Sequence, residues 1–482
     1  MKKREFIKKS AILASSAAIM PTLILSCNEA NEKLENSKLE RVRTAHIGVG
    51  NMGKEDLRDI SSHPKVDVVA LCDVDANYLA EAKKLHPNAK VFADYRAMLK
   101  EMENEIDAVI VSTPDHTHAP ASLLAMNKGK HVYCQKPLTH HVSEARAMRQ
   151  VAEKKNLVTQ MGIQVHSFYD YKLATLLIQS GIIGKVHTVR AWSPKNWGYD
   201  GAAPEGSDPV PESLDWNLWL GTAAFRPYKK DTYHPGNWRK LVDYGCGTLG
   251  DMGVHIFDTP YNALALDVPM TIKTECRAPN GFGFPENNIV TYTFPGTKYT
   301  AETLKWVWYD GPGAPALHED LQLPNSRATK EASESASLED KTSLDAKIAE
   351  EGALPDQGAM FMGEKGRLLL PHFMQLPIKI VDGKYVDISA EIEALDKKHK
   401  LGEPIRDYAA EGPKHYHQFI DTCLGTDECT APFSYAARLT ETILLGVIAG
   451  RFPNQTLHWD SKTAKFQEEE ANQYLSSEYR VF

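Results

Sequence analysis

The chain has 482 residues, of which 42% are hydrophobic and 24% are charged, and its formal net charge is −8. This length leaves room for two domains that each bury their own core. The composition is that of an ordinary soluble globular protein. The acidic balance argues against a nucleic-acid-binding role, which depends on concentrated lysine and arginine.

The first 27 residues have the pattern of an export signal. Basic residues at 2–4 precede an apolar stretch of small residues from 11 to 25. A basic start, an apolar centre and small residues before the cleavage point are typical of such a signal. The apolar stretch is shorter than the roughly 20 residues of a membrane span. The alternative is an uncleaved hydrophobic tail.

Two local patterns refine this expectation. Residues 3–8 resemble a twin-arginine signal in which Lys3 replaces the first arginine, and residues 24–27 resemble a lipobox that ends at Cys27. We therefore expect a protein of the periplasm or cell envelope, which Cys27 could anchor to lipid. The polar run 28–41 is interpreted as a tether.

The remaining cysteines give little sign of a disulfide framework or a metal site. Cys72 and Cys134 end apolar runs, where cysteine usually serves as a small hydrophobe. Only Cys423 and Cys429 are close enough in sequence to suggest an incidental disulfide. No cysteine spacing suggests zinc, and no metal site is predicted.

From Val42 onward, short apolar runs alternate with segments of helical periodicity. This alternation implies a parallel, doubly wound sheet. The strand-like runs are Thr44–Val49, Val66–Cys72, Ile106–Ser112 and His131–Cys134, and the helical segments are Met52–Ser61, Asn77–Leu85, Ala119–Lys128 and Ser143–Lys155.

The first strand runs into the glycine-rich sequence Gly48-Val49-Gly50-Asn51-Met52-Gly53, which opens a helix. Asp73 follows twenty residues after Gly53, at the end of the second strand. This context makes G-x-G-x-x-G a specific dinucleotide-binding signal. Gly48 allows a tight turn, Gly50 lets the backbone approach a pyrophosphate, and Gly53 lets the helix pack closely on the strand. The helix N-terminus offers free N–H groups to phosphate.

The residues around Asp73 predict NAD(H) as the cofactor. The carboxylate would accept hydrogen bonds from the adenine-ribose hydroxyls, whereas the 2′-phosphate of NADP would meet a like charge. The next residues, Val74 and Asp75, supply no arginine for that phosphate. The alternative is a glycine turn in an α/β domain that binds no nucleotide.

Two further motifs carry a family resemblance. They are Ser112-Thr113-Pro114-Asp115-His116-Thr117-His118 and Tyr133-Cys134-Gln135-Lys136-Pro137-Leu138. Together with the glycine loop they resemble the glucose–fructose oxidoreductase / inositol dehydrogenase (Gfo/Idh/MocA) family, from residue 42 to 453, in an exported bacterial subgroup. The resemblance implies that Lys136 is an active-site lysine. Gln135 stands where the family signature has glutamate; it can still hydrogen-bond the nicotinamide ribose but carries no charge. Further cofactor contacts are expected from Thr113, Pro114, His118 and Gln164.

The resemblance also implies the architecture. We expect an α/β fold with an N-terminal Rossmann domain, a doubly wound parallel sheet, over residues 42–162. A C-terminal α/β domain with a large, mostly antiparallel open sheet should follow over 163–482 and bind the substrate. The resemblance further implies a homo-oligomer.

A second glycine-rich turn, residues 245–250, leads into a helix that carries chemistry. On that helix Asp251, His255, Asp258 and Asn262 form one polar stripe. Such a stripe is usually the solvated side of a helix, but Asp251 and His255 match the family's Asp-x-x-x-His motif. Histidine can accept a hydroxyl proton near neutrality. Lys136 could stabilise the developing alkoxide, and Asp251 could bind the sugar or orient the imidazole.

Aromatic residues concentrate between His166 and Tyr244, which favours a saccharide substrate because sugar C–H faces stack on rings. Most of these rings are expected to serve packing, above all Trp216 and Trp219. The candidates for substrate contact are His166, Tyr169, Trp192, Trp238 and Arg239, together with Asp251 and His255.

Two other segments have simpler interpretations. Residues 310–357 are charged and poor in aromatics, which predicts a solvated insertion. His415-Tyr416-His417 resembles a metal clip, but it precedes an amphipathic helix, so a pair of histidines at a helix end is the preferred interpretation.

Three functional hypotheses follow. The first is a dehydrogenase or reductase that exchanges NAD(H) with solution. The second is an enzyme with the same site that retains its cofactor and processes glycosides by transient oxidation. The third is a sugar- or nucleotide-binding protein without catalysis, against which Lys136, Asp251 and His255 argue. Because free NAD is scarce outside the cytoplasm, the export signal favours a tightly bound cofactor.

Overall fold

The computed structural model describes residues 39–324, 354–404 and 407–482. The predicted export signal, Cys27, almost all of the tether and most of the charged insertion lie outside these residues. The described residues from 41 onward belong to one compact unit.

The N-terminal sheet has six parallel strands in the order β3-β2-β1-β4-β5-β6. This order places the end of β1 next to β4, where the strand order reverses and a ligand crevice forms in folds of this kind. The strands are β1 (Val42–Ile47), β2 (Val66–Cys72), β3 (Lys90–Phe92), β4 (Ala108–Val111), β5 (His131–Gln135) and β6 (Thr159–Gly162).

The helices between these strands confirm the predicted alternation, with two differences. The short elements β3, α3 and β6 were not predicted, because segments of three to seven residues carry too little periodicity. The fourth helix begins at Asp115 rather than at Ala119, since Pro114 precedes it as the N-terminal cap. The helices are α1 (Met52–Ser61), α2 (Ala76–Leu85), α3 (Tyr95–Glu101), α4 (Asp115–Asn127) and α5 (Val142–Lys155).

The second sheet has ten strands in the order β14-β13-β12-β11-β7-β10-β9-β8-β15-β16. Only β7 and β10 run parallel, so the predicted large, mostly antiparallel sheet is confirmed. The strands are β7 (Val186–Ser193), β8 (Thr271–Glu275), β9 (Asn288–Pro295), β10 (Thr300–Asp310), β11 (Gly358–Gly363), β12 (Gly366–Pro371), β13 (Ile378–Val381), β14 (Lys384–Val386), β15 (Thr456–Asp460) and β16 (Lys465–Phe466).

One face of this sheet carries the helix with the predicted catalytic motif. The ring of Phe257 on that helix stacks on Trp306 of β10, with centroids 4.2 Å apart. The helices of this half are α6 (Tyr169–Gln179), α7 (Trp216–Leu220), α8 (Val254–Ala263), α9 (Ser389–His399), α10 (Tyr408–Cys423) and α11 (Phe433–Ala449). A π-helical turn, Leu249–Gly253, leads directly into α8. Such turns often occur at functional sites.

Two predictions about surface segments can be compared with the structure. In the described part of the predicted insertion, residues 312–320 are exposed or half-buried, whereas Asp310 ends β10 and Leu321 is buried against the outer face of the second sheet. His415 and His417 lie in the middle of α10 rather than at its start, and His415 is buried with Nδ1 bonded to the Ser167 hydroxyl.

All six cysteines after Cys27 are free thiols, so the suggested Cys423–Cys429 disulfide does not form. Among the described residues, no helix has both the length and the apolar character to cross a membrane. In the same part of the chain, no group of three or more His, Cys, Asp or Glu side chains is arranged to hold a metal ion.

Candidate active site

The glycine loop between β1 and α1 forms one wall of a cleft. Gly48 has φ +83°, and a Cβ on it would lie 2.5 Å from the Ser112 carbonyl oxygen. A Cβ on Gly50 would lie 2.3 Å from the ring of Tyr78, and one on Gly53 would lie 2.2 Å from the Gly48 carbonyl oxygen. Gly48, Gly50, Asn51 and Met52 line the cleft. The loop therefore provides the close backbone approach that a pyrophosphate requires, while Gly53 keeps α1 against β1.

Asp73 stands in this cleft at the end of β2. Its Oδ2 accepts from the Val49 backbone N–H at 2.8 Å and its Oδ1 from that of Asp75 at 2.9 Å. Burial raises the pKa of Asp73, and these two hydrogen bonds oppose that shift. The lysine and arginine side chains that line the cleft, Lys136 and Arg239, both contact Asp251 instead. In the described part of the chain, no lysine or arginine lining this cleft stands beside Asp73 to bind a 2′-phosphate.

We expect Asp73→Ala to weaken NAD binding about tenfold or more, because hydrogen bonds to a charged group contribute about 1.5–3 kcal/mol. NADP affinity should fall less or rise, since a like charge is removed. Calorimetry on nucleotide-free protein measures both affinities. Asp73→Asn is the matched control for the loop, as its amide oxygen can still accept from Val49. Equal or tighter NADP binding by the unaltered protein would contradict the assignment.

A segment of the second half, residues 213–241 and here called the strap, forms the opposite wall. The Ala76 N–H donates to the Ser213 carbonyl at 2.8 Å, and the Asp215 N–H donates to the Val74 carbonyl at 2.9 Å. His234 Nε2 lies 3.1 Å from Asp75 Oδ2. The strap residues that line the cleft are Leu218, Trp219, His234, Pro235, Trp238 and Arg239. The strap thus bonds to the end of β2, next to Asp73.

Lys136 connects the two halves at the other end of the cleft. Its Nζ donates to Asp251 Oδ1 at 2.9 Å and to the Asp251 carbonyl at 3.0 Å. Arg239 Nε donates to the same Oδ1 at 3.3 Å. Burial alone would raise the pKa of Asp251, but the charges of Lys136 and Arg239 outweigh it and hold that pKa well below its ordinary value. Asp251 is therefore ionised and fixes the position of the lysine.

His255 lies on α8, one turn beyond Asp251. Burial, with the charge of Lys136 adding to it, lowers the pKa of His255 well below its ordinary value, so the imidazole is neutral. Its Nδ1 is enclosed, without a hydrogen-bond partner in the described part of the chain. The described residues contain no hydrogen bond between Asp251 and this ring, so the structure ties Asp251 to Lys136 rather than to the imidazole. A neutral imidazole can accept a proton.

Gln135 lines the cleft, and its contact with the nicotinamide ribose stays a prediction. Its Nε2 donates to both Asp56 oxygens at 2.9 and 3.0 Å, and its Oε1 accepts from the Lys136 N–H at 3.2 Å. Gln164, also predicted to touch the cofactor, donates instead to the Tyr416 hydroxyl at 2.6 Å. That hydroxyl donates to Asp56 at 2.7 Å. The side chains of Gln135, Asp56, Tyr416 and Gln164 thus form a buried hydrogen-bond network that reaches the backbone of Lys136.

His118 connects the two family motifs. Its Nδ1 and Nε2 lie 2.8 Å from the carbonyl oxygens of Pro137 and Thr113, respectively. Burial lowers the pKa of His118 to about 4, so the neutral ring has one N–H to donate. Thr113, Pro114 and His118 all line the cleft. His118 therefore lies between the Thr113 and Pro137 segments at the cleft wall and donates to one of these two carbonyls at a time.

Some of the candidate substrate residues line the cleft, and the others lie outside its lining. Trp238 and Arg239 line the cleft, with the guanidinium 4.3 Å from the centre of the Trp238 ring. His166 Nδ1 lies 2.9 Å from Asp258 Oδ2, three residues after His255 on α8. Tyr169 is buried in the apolar core at the start of α6.

The prediction that Trp192 contacts substrate is wrong. Its side chain is fully buried among apolar residues such as Met360 on the outer face of the second sheet, and α8 packs on the other face. Its indole N–H donates to the Pro355 carbonyl at 2.9 Å. Both faces of β7 are buried from Val189 to Ser193, so this part of the strand shows no alternation from which the direction of Trp192 could be predicted.

Several site residues had no recognisable signal in the sequence. Asp115 lines the cleft at the start of α4, and burial raises its pKa to about 7. His372 follows β12, and its ring centroid lies 6.1 Å from that of His255. Asp56 and Tyr416 contact each other across 360 positions of the chain. Such long-range contacts cannot be read from local periodicity, although the acidic residue inside the TPDHTH motif could have drawn attention to Asp115.

Comparisons with known proteins agree with this geometry. The family model described as oxidoreductase family, NAD-binding Rossmann fold matches residues 42–163, and the model of its C-terminal alpha/beta domain matches residues 169–283. Levoglucosan dehydrogenase of Pseudarthrobacter phenanthrenivorans is 24% identical over 228 residues, 46% of this chain and 50% of that protein. A glycosyl hydrolase family 109 protein of Shewanella pealeana is 27% identical over 203 residues, 39% of this chain and 44% of that protein. The matched region spans about half the length of these relatives.

The fold is also similar to solved structures. Levoglucosan dehydrogenase in complex with NADH and levoglucosan superposes with a TM-score of 0.57 at 14% identity, covering 87% of this chain and 99% of that one. Both family models and the two-sheet architecture lead to the same assignment. The chain belongs to the Gfo/Idh/MocA oxidoreductase family, with an NAD-binding Rossmann domain and a C-terminal α/β domain.

Proposed function

We propose that this protein is an NAD(H)-dependent oxidoreductase that acts on a secondary hydroxyl or keto group of a sugar, glycoside or polyol. The observation that carries the proposal is the contact of Lys136 with Asp251, one turn from His255, at the edge of a dinucleotide cleft. A protein that only binds sugar has no need of an ionised acid that fixes a lysine. The similarity to a levoglucosan dehydrogenase supports a carbohydrate substrate.

The residues of this chain divide the chemistry between them. The nicotinamide, when bound, accepts or returns the hydride of the alcohol carbon. His255 accepts the hydroxyl proton during oxidation and gives it back during reduction. Lys136, held by Asp251, stabilises the negative charge that develops on the oxygen. Trp238 and Arg239 cover the end of the cleft where these groups meet.

We further propose that the protein keeps its nucleotide through many turnovers. The strap supports this, because three contacts to residues 74–76 bridge the cleft beside Asp73. Release of the adenosine end would require these contacts to open. The export pattern of residues 1–27 supports it too, because an enzyme of the cell envelope, lipid-anchored at Cys27 or not, has no soluble NAD pool. Assembly as a homo-oligomer belongs to the same proposal.

A redox-neutral variant of this function remains a specific alternative. The same site could oxidise a glycoside transiently and return the hydride after isomerisation, epimerisation or bond cleavage. The similarity to a glycosyl hydrolase family 109 protein favours it. Lys136 counts against that particular branch, since the family resemblance implies that the branch lacks this lysine.

The test measures nucleotide content after extensive dialysis and sugar conversion without added NAD. We expect near-stoichiometric nucleotide and continued conversion of a sugar in the presence of a carbonyl acceptor. His234→Ala should release nucleotide faster, because it removes the side-chain contact between strap and β2. Tyr228→Phe is the control, because it removes a strap hydroxyl that has no hydrogen bond to residues 74–76 in the described part of the chain. If dialysis empties the unaltered protein and activity then requires added NAD with stoichiometric NADH release, the cofactor exchanges and retention is wrong.

A further inference from the structure

A second imidazole stands beside His255. His372 follows β12, and the two ring centroids are 6.1 Å apart with a 37° angle between the planes. Tyr171 on α6 is hydrogen-bonded through its hydroxyl to His372 Nδ1. Three elements that are distant in sequence, α6, α8 and the end of β12, therefore bring their polar side chains together next to Lys136.

The contact with Tyr171 occupies Nδ1 of His372. Burial raises the pKa of Tyr171 well above its ordinary value, so the phenol keeps its proton and can donate it to Nδ1. Burial, with the charges of Lys136 and Lys195 adding to it, lowers the pKa of His372 to about 3. A neutral imidazole that accepts at Nδ1 carries its hydrogen on Nε2. With the phenol as the donor, His372 presents an N–H at Nε2.

His255 presents the complementary atom. Its Nδ1 is enclosed without a partner, whereas its Nε2 is neither enclosed nor hydrogen-bonded among the described residues. Nε2 is therefore the nitrogen that a substrate hydroxyl can reach. The Nε2 of His372 is likewise neither enclosed nor hydrogen-bonded in the described part of the chain. The two rings, with centroids 6.1 Å apart, thus each leave one nitrogen available to the same small molecule.

We propose that His372 is a specificity-determining residue that donates from Nε2 to a hydroxyl on the carbon next to the reacting one, so that the substrate class is polyols with two adjacent hydroxyls. Tyr171 is the positioning residue that fixes the tautomer. The inference rests on the proposed function. A donor built into a site discriminates against an analogue that lacks the matching hydroxyl, because the buried donor is then left unpaired.

The experiment uses the nucleotide-loaded protein and a panel of hexoses and cyclic polyols, each paired with the analogue deoxygenated at the adjacent carbon. The polyol that the unaltered protein converts fastest is chosen. The kcat and KM are then measured for this polyol and for its deoxygenated analogue. For the unaltered protein we expect the ratio of kcat/KM for the diol to kcat/KM for its deoxygenated analogue to be about ten or more, the effect of one lost hydrogen bond. In His372→Ala this ratio should fall towards one, mainly through a higher KM, with a smaller loss of kcat than in His255→Ala.

Tyr171→Phe should lower the ratio in the same direction, and His372→Gln, which keeps a donor, should restore part of it. Tyr385→Phe, the loss of a buried hydroxyl on β14, is the matched control and should leave the ratio unchanged. If no member of the panel is converted by the unaltered protein, the proposed function fails. If the panel is converted but the diol is not preferred, or if His372→Ala keeps the full preference, the role of His372 is overturned. If Tyr171→Phe behaves as the unaltered protein, Tyr171 is not a positioning residue.

Discussion

His255→Ala is expected to reduce the rate of substrate oxidation by on the order of 10²–10⁴-fold, the usual loss when a general base is removed. Nucleotide binding should hardly change, because His255 is not among the residues that line the dinucleotide cleft. The proton acceptor acts in the transition state, so kcat should carry most of the loss. A single-turnover measurement of nicotinamide reduction separates the chemical step from product release.

His187→Ala is a suitable control, since that histidine is exposed on β7 and undergoes the same chemical change. It should leave turnover as it is. Normal single-turnover rates in His255→Ala would remove the histidine from the mechanism. Lys136 would then be the candidate base.

Gly53→Ala is expected to abolish most nucleotide binding although it adds a single methyl group. The new Cβ would lie 2.2 Å from the Gly48 carbonyl oxygen and 2.7 Å from its carbon. Both are backbone atoms that cannot rotate away, so α1 must move from β1 and open the phosphate loop. Overpacking of this kind costs about 1–3 kcal/mol, which corresponds to roughly 5–150-fold in nucleotide affinity if the cost falls on the phosphate loop.

Gly412→Ala provides the comparison, because Gly412 lies inside α10 and a Cβ there would meet its nearest neighbour at an ordinary 3.7 Å. Alanine favours a helix over glycine by up to about 1 kcal/mol, so this variant should be as stable as the unaltered protein or more so. Calorimetric titration with NAD and thermal unfolding measure the two variants. Equal affinities for both would show that the close packing of α1 on β1 does not support the loop.

The sequence predicted those parts of the fold that depend on local order. The run from β1 through Gly48 and Gly53 into α1 is continuous in the chain, so periodicity and glycine spacing define it. Lys136 and Asp251 could be paired only through a family resemblance, and their 2.9 Å contact spans 115 positions. The direction of Trp192 and the position of His372 depend on how separate strands and helices pack, which local patterns do not contain.

The residue at position 135 has a consequence for the charge inside the site. Burial raises the pKa of Asp56 to about 6, opposed by hydrogen bonds from Ser112, Tyr416 and Gln135. A glutamate at 135 would place two buried carboxylates in contact, and one of them would have to hold a proton. With glutamine at position 135, Gln135 and Asp56 together carry at most a single negative charge. That charge lies on Asp56, which contacts Gln135, the residue before Lys136 in the chain. Gln135 thus leaves Asp56 as the single titrating group of the pair, and Gln135→Glu would add a second buried carboxyl whose ionisation is coupled to that of Asp56.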